Sequence, residues 1–256
     1  GLRPFCVIGS AGTVSTGAID PLDEIADLCA QERLWFHIDG AYGAVGVLDE
    51  RVAPLYAGMK RADSLALDPH KWLSVPVECG CALVRDAALL RDTFSLVPPY
   101  LRTEEGKGFG GLPWFSEYGF QQTRGFRALK LWMTLLHAGR GGLSAMIARQ
   151  NSLARELGEI VVAAPDLELV TDVTLSICCF RYVPPGRELD EAALDALNKQ
   201  IMERVQASGA AFLTQAMVQG QFALRANVLH YATTSDDIEA LVAVVRRTGL
   251  DLSAAA

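Results

Sequence analysis

The sequence lacks the features that mark a membrane protein or a nucleic-acid-binding protein. No uninterrupted apolar run reaches the about 18–20 residues that a membrane-spanning helix needs, so we expect no membrane span. No stripe of basic residues is present, and 30 Asp and Glu outnumber 23 Lys and Arg, which gives a net charge of −7. Nucleic acids and anionic membrane surfaces bind basic patches, so neither is expected as a partner. The first residues show no charged segment before an apolar stretch, so no signal peptide is predicted.

The sequence also lacks cysteine spacings that indicate a zinc site or a disulfide framework. Its six cysteines include no C-x-x-C pair. A chain of 256 residues, 50% of them hydrophobic, can bury a large core without cross-links. We therefore predict no metal site and reduced, mostly buried thiols, which fit a reducing cytoplasm. The cysteines are Cys6, Cys29, Cys79, Cys81, Cys178 and Cys179.

Strand and helix patterns alternate along the first third of the chain. Asp20-Pro21 is expected to cap and open a helix, because the apolar residues that follow recur every 3.6 residues, and a shorter helix is expected near residues 53–59. Strands separated by helices in this way predict an α/β fold on a mainly parallel sheet. The predicted strands are residues 5–9, 34–39, 64–67 and 80–84.

The rest of the chain predicts a loop, two long helices and a smaller domain. Residues 94–123 are rich in glycine and aromatic residues, which is typical of a functional loop. We expect residues 1–140 to be part of a larger α/β domain with a mobile loop at about 98–120, and residues 141–256 to form a linking helix and a small α+β domain. The predicted elements are helices at 124–136, 143–162, 190–208 and 235–248, with a break at 139–142, and strands at 167–170, 175–182, 211–214 and 222–228.

Polar residues lie at the ends of three of the predicted strands. They are residues 10–13, His37 with Asp39, and residues 68–72. Ligands of open parallel sheets bind at the carboxyl ends of the strands. A lysine in an apolar site forms Schiff bases, and a carboxylate keeps a pyridine nitrogen protonated, so Lys71 and Asp39 are candidates for a pyridoxal phosphate site. A surface lysine and a helix-capping aspartate remain alternatives, and His37 with Asp39 is too small a set for a metal.

Three ordered motifs resemble the group II pyridoxal-phosphate-dependent decarboxylases, the family of the aromatic-L-amino-acid, glutamate and cysteine-sulfinate decarboxylases. The motifs are GTVSTGAIDPL (12–22), WFHIDGAYG (35–43) and DPHKWL (68–73). The similarity continues at PPYL (98–101), RGFRALKLW (124–132) and FALRAN (222–227), and it covers nearly the whole chain. It implies a fold-type I large domain, represented here in part, with a smaller C-terminal α+β domain.

The resemblance implies a cofactor site residue by residue. Lys71 matches the lysine that carries pyridoxal phosphate, and Asp39 matches the aspartate that pairs with the pyridine nitrogen. Ala41 matches the small residue under the ring, and Thr13 matches a threonine at the polar edge of the cofactor. Asp68 stands where many relatives carry Asn or Asp near the phosphate.

The resemblance also implies the reaction, which is decarboxylation of an L-amino acid to the amine and CO₂ through an external aldimine and a quinonoid. His70 matches the histidine near the substrate carboxylate, and Tyr100 matches the loop tyrosine that returns a proton to the carbon. Trp72 and the aromatic loop residues favour an aromatic substrate. Arg124, Arg127 and Arg225 are expected at structural contacts.

Two alternatives stay open at this stage. The upstream phosphate-binding turn and the ring-stacking histidine of the family do not occur in this sequence, so we expect the C-terminal part of a decarboxylase or a non-catalytic remnant. The other alternative is an aldehyde synthase or an aminotransferase, although aldehyde synthases often carry Phe at the position of Tyr100. The resemblance further implies a homodimer.

Overall fold

Four short strands form the first sheet of the computed structural model, which describes residues 1–96 and 112–255. The sheet order is β1-β2-β3-β4. Strands β1, β2 and β3 run parallel, while β4 pairs with β3 in the antiparallel direction. The predicted mainly parallel sheet is therefore confirmed. The strands are β1 (Cys6–Ser10), β2 (Trp35–Asp39), β3 (Ser64–Leu67) and β4 (Cys81–Val84).

One face of this sheet is covered by helix α1 (Leu22–Glu32). The helix buries an apolar stripe that includes Leu22 and Ala26, and β2 contributes Phe36 and Ile38 to the same core. The other face is more open, because Ile8 of β1 is 63% exposed. The alternation of side chains along β2 therefore leaves its odd-numbered residues on a face that a ligand can reach.

The start of α1 differs from the prediction in one contact. Asp20 does not cap the helix, since Pro21 occupies the N-cap position without a side-chain hydrogen bond. The Oδ2 atom of Asp20 instead accepts a hydrogen bond of 2.7 Å from the backbone N–H of Ser10. This contact ties the entry of α1 to the end of β1, beside the predicted site.

The chain between β2 and β3 forms 3-10 turns rather than the predicted helix near residues 53–59. The turns are Ala44–Leu48, Ala53–Tyr56 and Met59–Arg61. Gly58, with φ of 86°, separates the last two because a left-handed residue ends a helical turn. The prediction of one helix here was wrong.

Two helices connect the sheets. Helix α2 (Ala87–Phe94) was not predicted, and Asp86 caps it by accepting from the N–H of Ala88 at 3.0 Å. Helix α3 (Arg127–Ala163) starts three residues later than expected. Its break at Gly139, with φ of 63° and ψ of 170°, lies in the predicted interval.

The second sheet is antiparallel throughout, with the order β5-β6-β8-β7. Strand β7 lies later in the chain than the predicted 211–214. The reason is the two-residue turn Gln219-Gly220, in which both residues have positive φ, and which pairs Val218 with Gln221. The elements are β5 (Leu167–Leu169), β6 (Ile177–Tyr182), α4 (Glu191–Ser208), β7 (Thr214–Val218), β8 (Gln221–Asn227) and α5 (Ser235–Ala255).

Two apolar cores hold the described residues together. The second core lies between β6, β8, α4, α5 and the C-terminal part of α3. The first core includes the sheet around β2 and also Leu143, Ile147 and Leu175 from the C-terminal half. The two predicted units, 1–140 and 141–256, therefore share a packed boundary. Within the described residues, no helix has the length and apolarity required to span a membrane.

Candidate functional site

The loops that follow β1, β2 and β3 meet at the carboxyl edge of the first sheet. The backbone N–H of Ala11 donates to the carbonyl of Asp39 at 2.8 Å. The N–H of Asp68 donates to the carbonyl of Ala41 at 3.2 Å. Three of the sequence motifs are thus brought into one place by main-chain hydrogen bonds, as the rule for parallel sheets predicts.

Two glycines permit the close approach of the first two loops. A Cβ atom on Gly12 would lie 2.7 Å from the Cα of Gly43, and a Cβ on Gly43 would lie 2.4 Å from the carbonyl oxygen of Ala11. Any side chain at Gly43 would push the loops apart. Glycine is therefore required at these two motif positions because a larger residue would not fit between the loops.

Asp39 lies at the end of β2 with its side chain exposed. In the register of the sheet it stands beside Ser10 of β1 and Ala66 of β3. Its Oδ1 atom accepts a hydrogen bond of 3.1 Å from the N–H of Ala41. One carboxylate oxygen is thereby oriented by the backbone, while the side chain stays exposed on the open face.

Lys71 is half-exposed and forms an ion pair with Asp68. The distance from its Nζ to Oδ2 of Asp68 is 2.9 Å, with 39% and 28% of the two side chains exposed. The backbone supports the pair, because the N–H of Lys71 donates to the carbonyl of Asp68 at 2.9 Å. Pattern reasoning placed Lys71 in an apolar setting, and the structure instead gives it a carboxylate partner.

His70 is held through one ring nitrogen by the backbone of Cys79. Its Nδ1 lies 2.8 Å from the carbonyl oxygen and 3.1 Å from the N–H of Cys79. A single tautomer uses one of these contacts, as the donor or as the acceptor. In both cases the ring is fixed through Nδ1.

Thr13 is half-buried in the loop after β1. Its hydroxyl lies 3.0 Å from that of Thr16 and accepts from the N–H of Ala18 at 3.2 Å. Its role is therefore at least to stabilise the loop. Tyr100, the predicted proton donor, lies outside the described residues, as does most of the predicted 98–120 loop.

Trp72 does not line an open pocket, so its use as a sign of an aromatic substrate was wrong. It is 0% exposed and stacks on Tyr42, with ring centroids 4.9 Å apart. Sequence reasoning missed Tyr42 altogether, although it lies in the second motif. Packing across the whole fold decides which side chains are buried. The six residues of the third motif therefore do not show that Trp72 is buried.

Structural contacts were predicted for three arginines, and the structure shows such contacts for two of them. Arg127, at the start of α3, donates to Glu78 and holds the pKa of that carboxyl below its usual value. Arg225 donates to the hydroxyl of Thr214 at 3.2 Å rather than to an acid. Arg124 lines a cavity of about 660 Å³ that Cys79 also borders.

The six cysteines are all free, as predicted, and four of them are buried. Burial raises the pKa of the Cys179 thiol to about 11. Within the described residues no cluster of His, Cys, Asp and Glu is suited to a metal ion.

The family model of the pyridoxal-dependent decarboxylase conserved domain matches residues 1–183. The aromatic-L-amino-acid decarboxylase of Bacillus atrophaeus is 34% identical over 99% of this chain and 52% of that protein. Tryptophan decarboxylase 2 of Oryza sativa subsp. japonica is 32% identical over 88% of this chain and 45% of that protein. The chain thus spans about half the length of the curated relatives it matches.

Solved structures give the same result for the fold. The structure of Oryza sativa TDC with PLP and tryptamine has a TM-score of 0.88 and 27% identity, and it covers 96% of this chain and 51% of that chain. Mouse CSAD in its apo form has a TM-score of 0.87 and 29% identity over 96% of this chain and 52% of that chain. The predicted fold-type I architecture is confirmed, and the chain belongs to the pyridoxal-dependent decarboxylase family.

Proposed function

We propose that the protein decarboxylates an aromatic L-amino acid with pyridoxal phosphate, and that Lys71 carries the cofactor while Asp39 pairs with its ring nitrogen. The observation that carries this proposal is the contact between their loops, where the N–H of Asp68 donates to the carbonyl of Ala41. An amine and a carboxylate at the joined ends of neighbouring parallel strands are the two groups that this cofactor requires.

The residues present fit the cofactor. Asp39 offers one backbone-oriented carboxylate on an exposed face, and Ala41 next to it has a side chain small enough to leave room for a flat ring. The Lys71 amine is accessible, and the Thr13 hydroxyl borders the same edge. When bound, pyridoxal phosphate supplies an electron-withdrawing ring that accepts the electron pair left by departing CO₂.

Asp68 holds the amine of Lys71 at one position at the edge of the sheet. The Nζ–Oδ2 distance of 2.9 Å is that of a charge-assisted hydrogen bond. We infer that Asp68 acts here, on the amine, as well as near the phosphate. Its carboxylate then balances the charge of the lysine ammonium when the substrate has displaced it.

His70 and Tyr100 act on the substrate in this proposal. With Nδ1 fixed by Cys79, His70 presents Nε2 towards a substrate carboxylate at a constant orientation. Tyr100 returns a proton to the α-carbon, which requires that water be kept away. Asp39 holds the proton on the ring nitrogen throughout.

The aromatic substrate class is supported by the relatives, several of which are tryptophan, tyrosine or aromatic-L-amino-acid decarboxylases. A homodimer and a cytoplasmic location complete the proposal. The free thiols support a reducing compartment, since disulfides form in oxidising ones.

The test is to add pyridoxal phosphate to the protein, with any upstream segment included, and to record the visible imine band. The band is expected in the unsubstituted protein and in Lys199→Ala, whose lysine is exposed on α4, and it is expected to vanish in Lys71→Ala. Release of CO₂ from a panel of amino acids then identifies the substrate class. A band that persists in Lys71→Ala, or no band in any protein, contradicts the proposal and favours a non-catalytic remnant.

A second candidate is aldehyde synthesis. The 3,4-dihydroxyphenylacetaldehyde synthase of Aedes aegypti is 31% identical over 93% of this chain and 44% of that protein. Product analysis separates the two reactions, because decarboxylation gives the amine and aldehyde synthesis gives the aldehyde. Tyr100→Phe is expected to lower amine formation strongly, and unchanged amine formation in that variant would remove Tyr100 from the mechanism.

A further inference from the structure

Two buried aromatic rings lie directly beside the candidate cofactor residues. Tyr42 follows Ala41 in the loop after β2, and Trp72 follows Lys71 in the loop after β3. The rings stack with centroids 4.9 Å apart and an interplanar angle of 13°. Trp72 is 0% exposed and Tyr42 is 5% exposed. Rings packed at interior density cannot slide freely, so each of these two loops fixes the position of the other.

Trp72 is also tied to the C-terminal half of the chain. Its Nε1–H donates to Oε1 of Gln150 in α3 at 2.8 Å. The amide Nε2 of Gln150 donates in turn to the carbonyl of Leu229, after β8, at 2.6 Å. Gln150 is itself 0% exposed, so the bridge runs through the interior.

Tyr42 makes a parallel connection to the second sheet. Its hydroxyl lies 2.6 Å from Oγ of Ser176, just before β6. Ser176 donates its own proton to Oδ1 of Asn227 at 3.3 Å, so the tyrosine hydroxyl is the donor to Ser176. Burial raises the pKa of Tyr42 far above neutrality, and the donor therefore keeps its proton.

We propose that Tyr42 and Trp72 are positioning residues that hold Lys71 in register with Asp39 and tie both to the C-terminal sheet. The inference rests on the proposed function, because it concerns the two residues assigned there to the cofactor. Tyr42 and Trp72 act through the loops that contain them. If they served stability alone, a variant that folds would keep its turnover number, whereas a positioning role lowers turnover in a folded, cofactor-loaded protein.

The test is a double-mutant cycle on the hydrogen bond between Tyr42 and Ser176. Tyr42→Phe keeps the stacked ring and removes the donor, and Ser176→Ala removes the acceptor. Each single variant is measured with bound cofactor and below its melting temperature. Each is expected to lower kcat about tenfold and to keep KM within about twofold of the unsubstituted value. The double variant is expected to lose no more than the single ones, since both remove the same contact. The circular dichroism of the imine band, which reports the orientation of the cofactor, is expected to change alike in all three.

The matched control is Tyr182→Phe, which alters a tyrosine buried in the second core. Any effect of this variant is expected to be on the melting temperature alone. Its kcat and the circular dichroism of the imine band are expected to stay unchanged. Trp72→Phe keeps a ring but removes the N–H donor to Gln150, so it is expected to lower kcat like Tyr42→Phe.

Three results would overturn the positioning role while an imine band is present. They are an unchanged kcat in both Tyr42→Phe and Trp72→Phe, additive losses in the cycle, and an equal loss in Tyr182→Phe. Absence of the imine band from the unsubstituted protein would overturn the proposed function first, and the positioning role with it. The two failures are therefore distinguishable.

Discussion

Lys71 shows, at the scale of single residues, how much a motif leaves open. The second and third motifs identified Asp39 and Lys71, because a motif consists of residue types in a fixed order. They did not indicate the ion pair with Asp68, which depends on the turn that brings residues 68 and 71 together. Nor did they indicate that Trp72 is fully buried.

Asp39 is the residue whose charge the proposed chemistry needs most. Asp39→Asn keeps the shape of the side chain but removes the carboxylate that holds a proton on the ring nitrogen. We expect the imine with Lys71 to form and decarboxylation to fall by on the order of 100-fold or more, as when a charge-stabilising group is lost. Spectra and CO₂ release measure the two effects separately.

The control for Asp39 is Asp23→Asn. Asp23 is an exposed aspartate of α1 that forms an ion pair with Arg61. This variant is expected to decarboxylate at the unsubstituted rate. Equal rates for Asp39→Asn and the unsubstituted protein would show that the ring nitrogen has no need of this acid.

Asp49 gives the protein a predictable weakness in acid. Burial alone would raise its pKa, but hydrogen bonds from Arg51 and Asn151 outweigh burial and lower it from 3.8 to about 2. A depressed folded-state pKa stabilises the fold above pH 4 or so, and this stability is lost as the pH falls from about 4 to about 2. The loss amounts to about 2 kcal/mol of unfolding free energy.

Asp49→Asn is expected to flatten that part of the acid-stability curve, as measured by urea unfolding at several pH values. Asp23→Asn, at an exposed pair, is the comparison and is expected to keep the slope of the unsubstituted protein. An unaltered slope in Asp49→Asn would mean that the carboxylate is not stabilised by its neighbours.

At the scale of elements, the loops around the site depend on close backbone packing. Gly43→Ala places a Cβ 2.4 Å from the carbonyl oxygen of Ala11, and the loops after β1 and β2 must separate. We expect a loss of about 1–3 kcal/mol of unfolding free energy, as for other overpacked sites. Weaker binding of pyridoxal phosphate is expected as well, measured by titration of the imine band.

Gly141→Ala is the matched control, because nothing lies within 4 Å of its Cβ position in α3. It is expected to leave cofactor binding unchanged and to stabilise the helix by up to about 1 kcal/mol. If both glycine variants bound the cofactor equally, the close approach at Gly43 would have no bearing on the site.

Elements with a strong local signal were predictable, and those decided by turns were not. The break of α3 at Gly139 was predicted because three glycines stand within four residues. The position of β7 was not, because the turn Gln219-Gly220 sets its register with β8. The four-residue strand β3 was found by its short apolar run, Leu65–Leu67.

At the scale of the whole molecule, Leu175 is one of the residues that join the two halves of the chain. Leu175 is 0% exposed and belongs to the first core, although it lies in the C-terminal half. Its side chain lies within 3.1 Å of the Cβ positions of Gly12, Gly43 and Gly46. The C-terminal unit therefore supports the loops that carry the candidate site.

Leu175→Ala is expected to lower the free energy of unfolding by about 2–5 kcal/mol and to weaken cofactor binding as well. Leu213→Ala removes a leucine that is 1% exposed in the second core, and it is expected to cost similar stability without affecting the cofactor. Thermal unfolding and imine titration distinguish the two variants. If both variants weakened cofactor binding equally, Leu175 would have no particular role in supporting the loops of the site.

The covalent attachment of the cofactor tests the account most directly. The chain has five lysines, so the attachment point can be located without ambiguity. Pyridoxal phosphate is added, the imine is reduced with borohydride, and the peptides are analysed by mass spectrometry. The account predicts one pyridoxyl group, on Lys71. A label on another lysine, or none on Lys71, would contradict it.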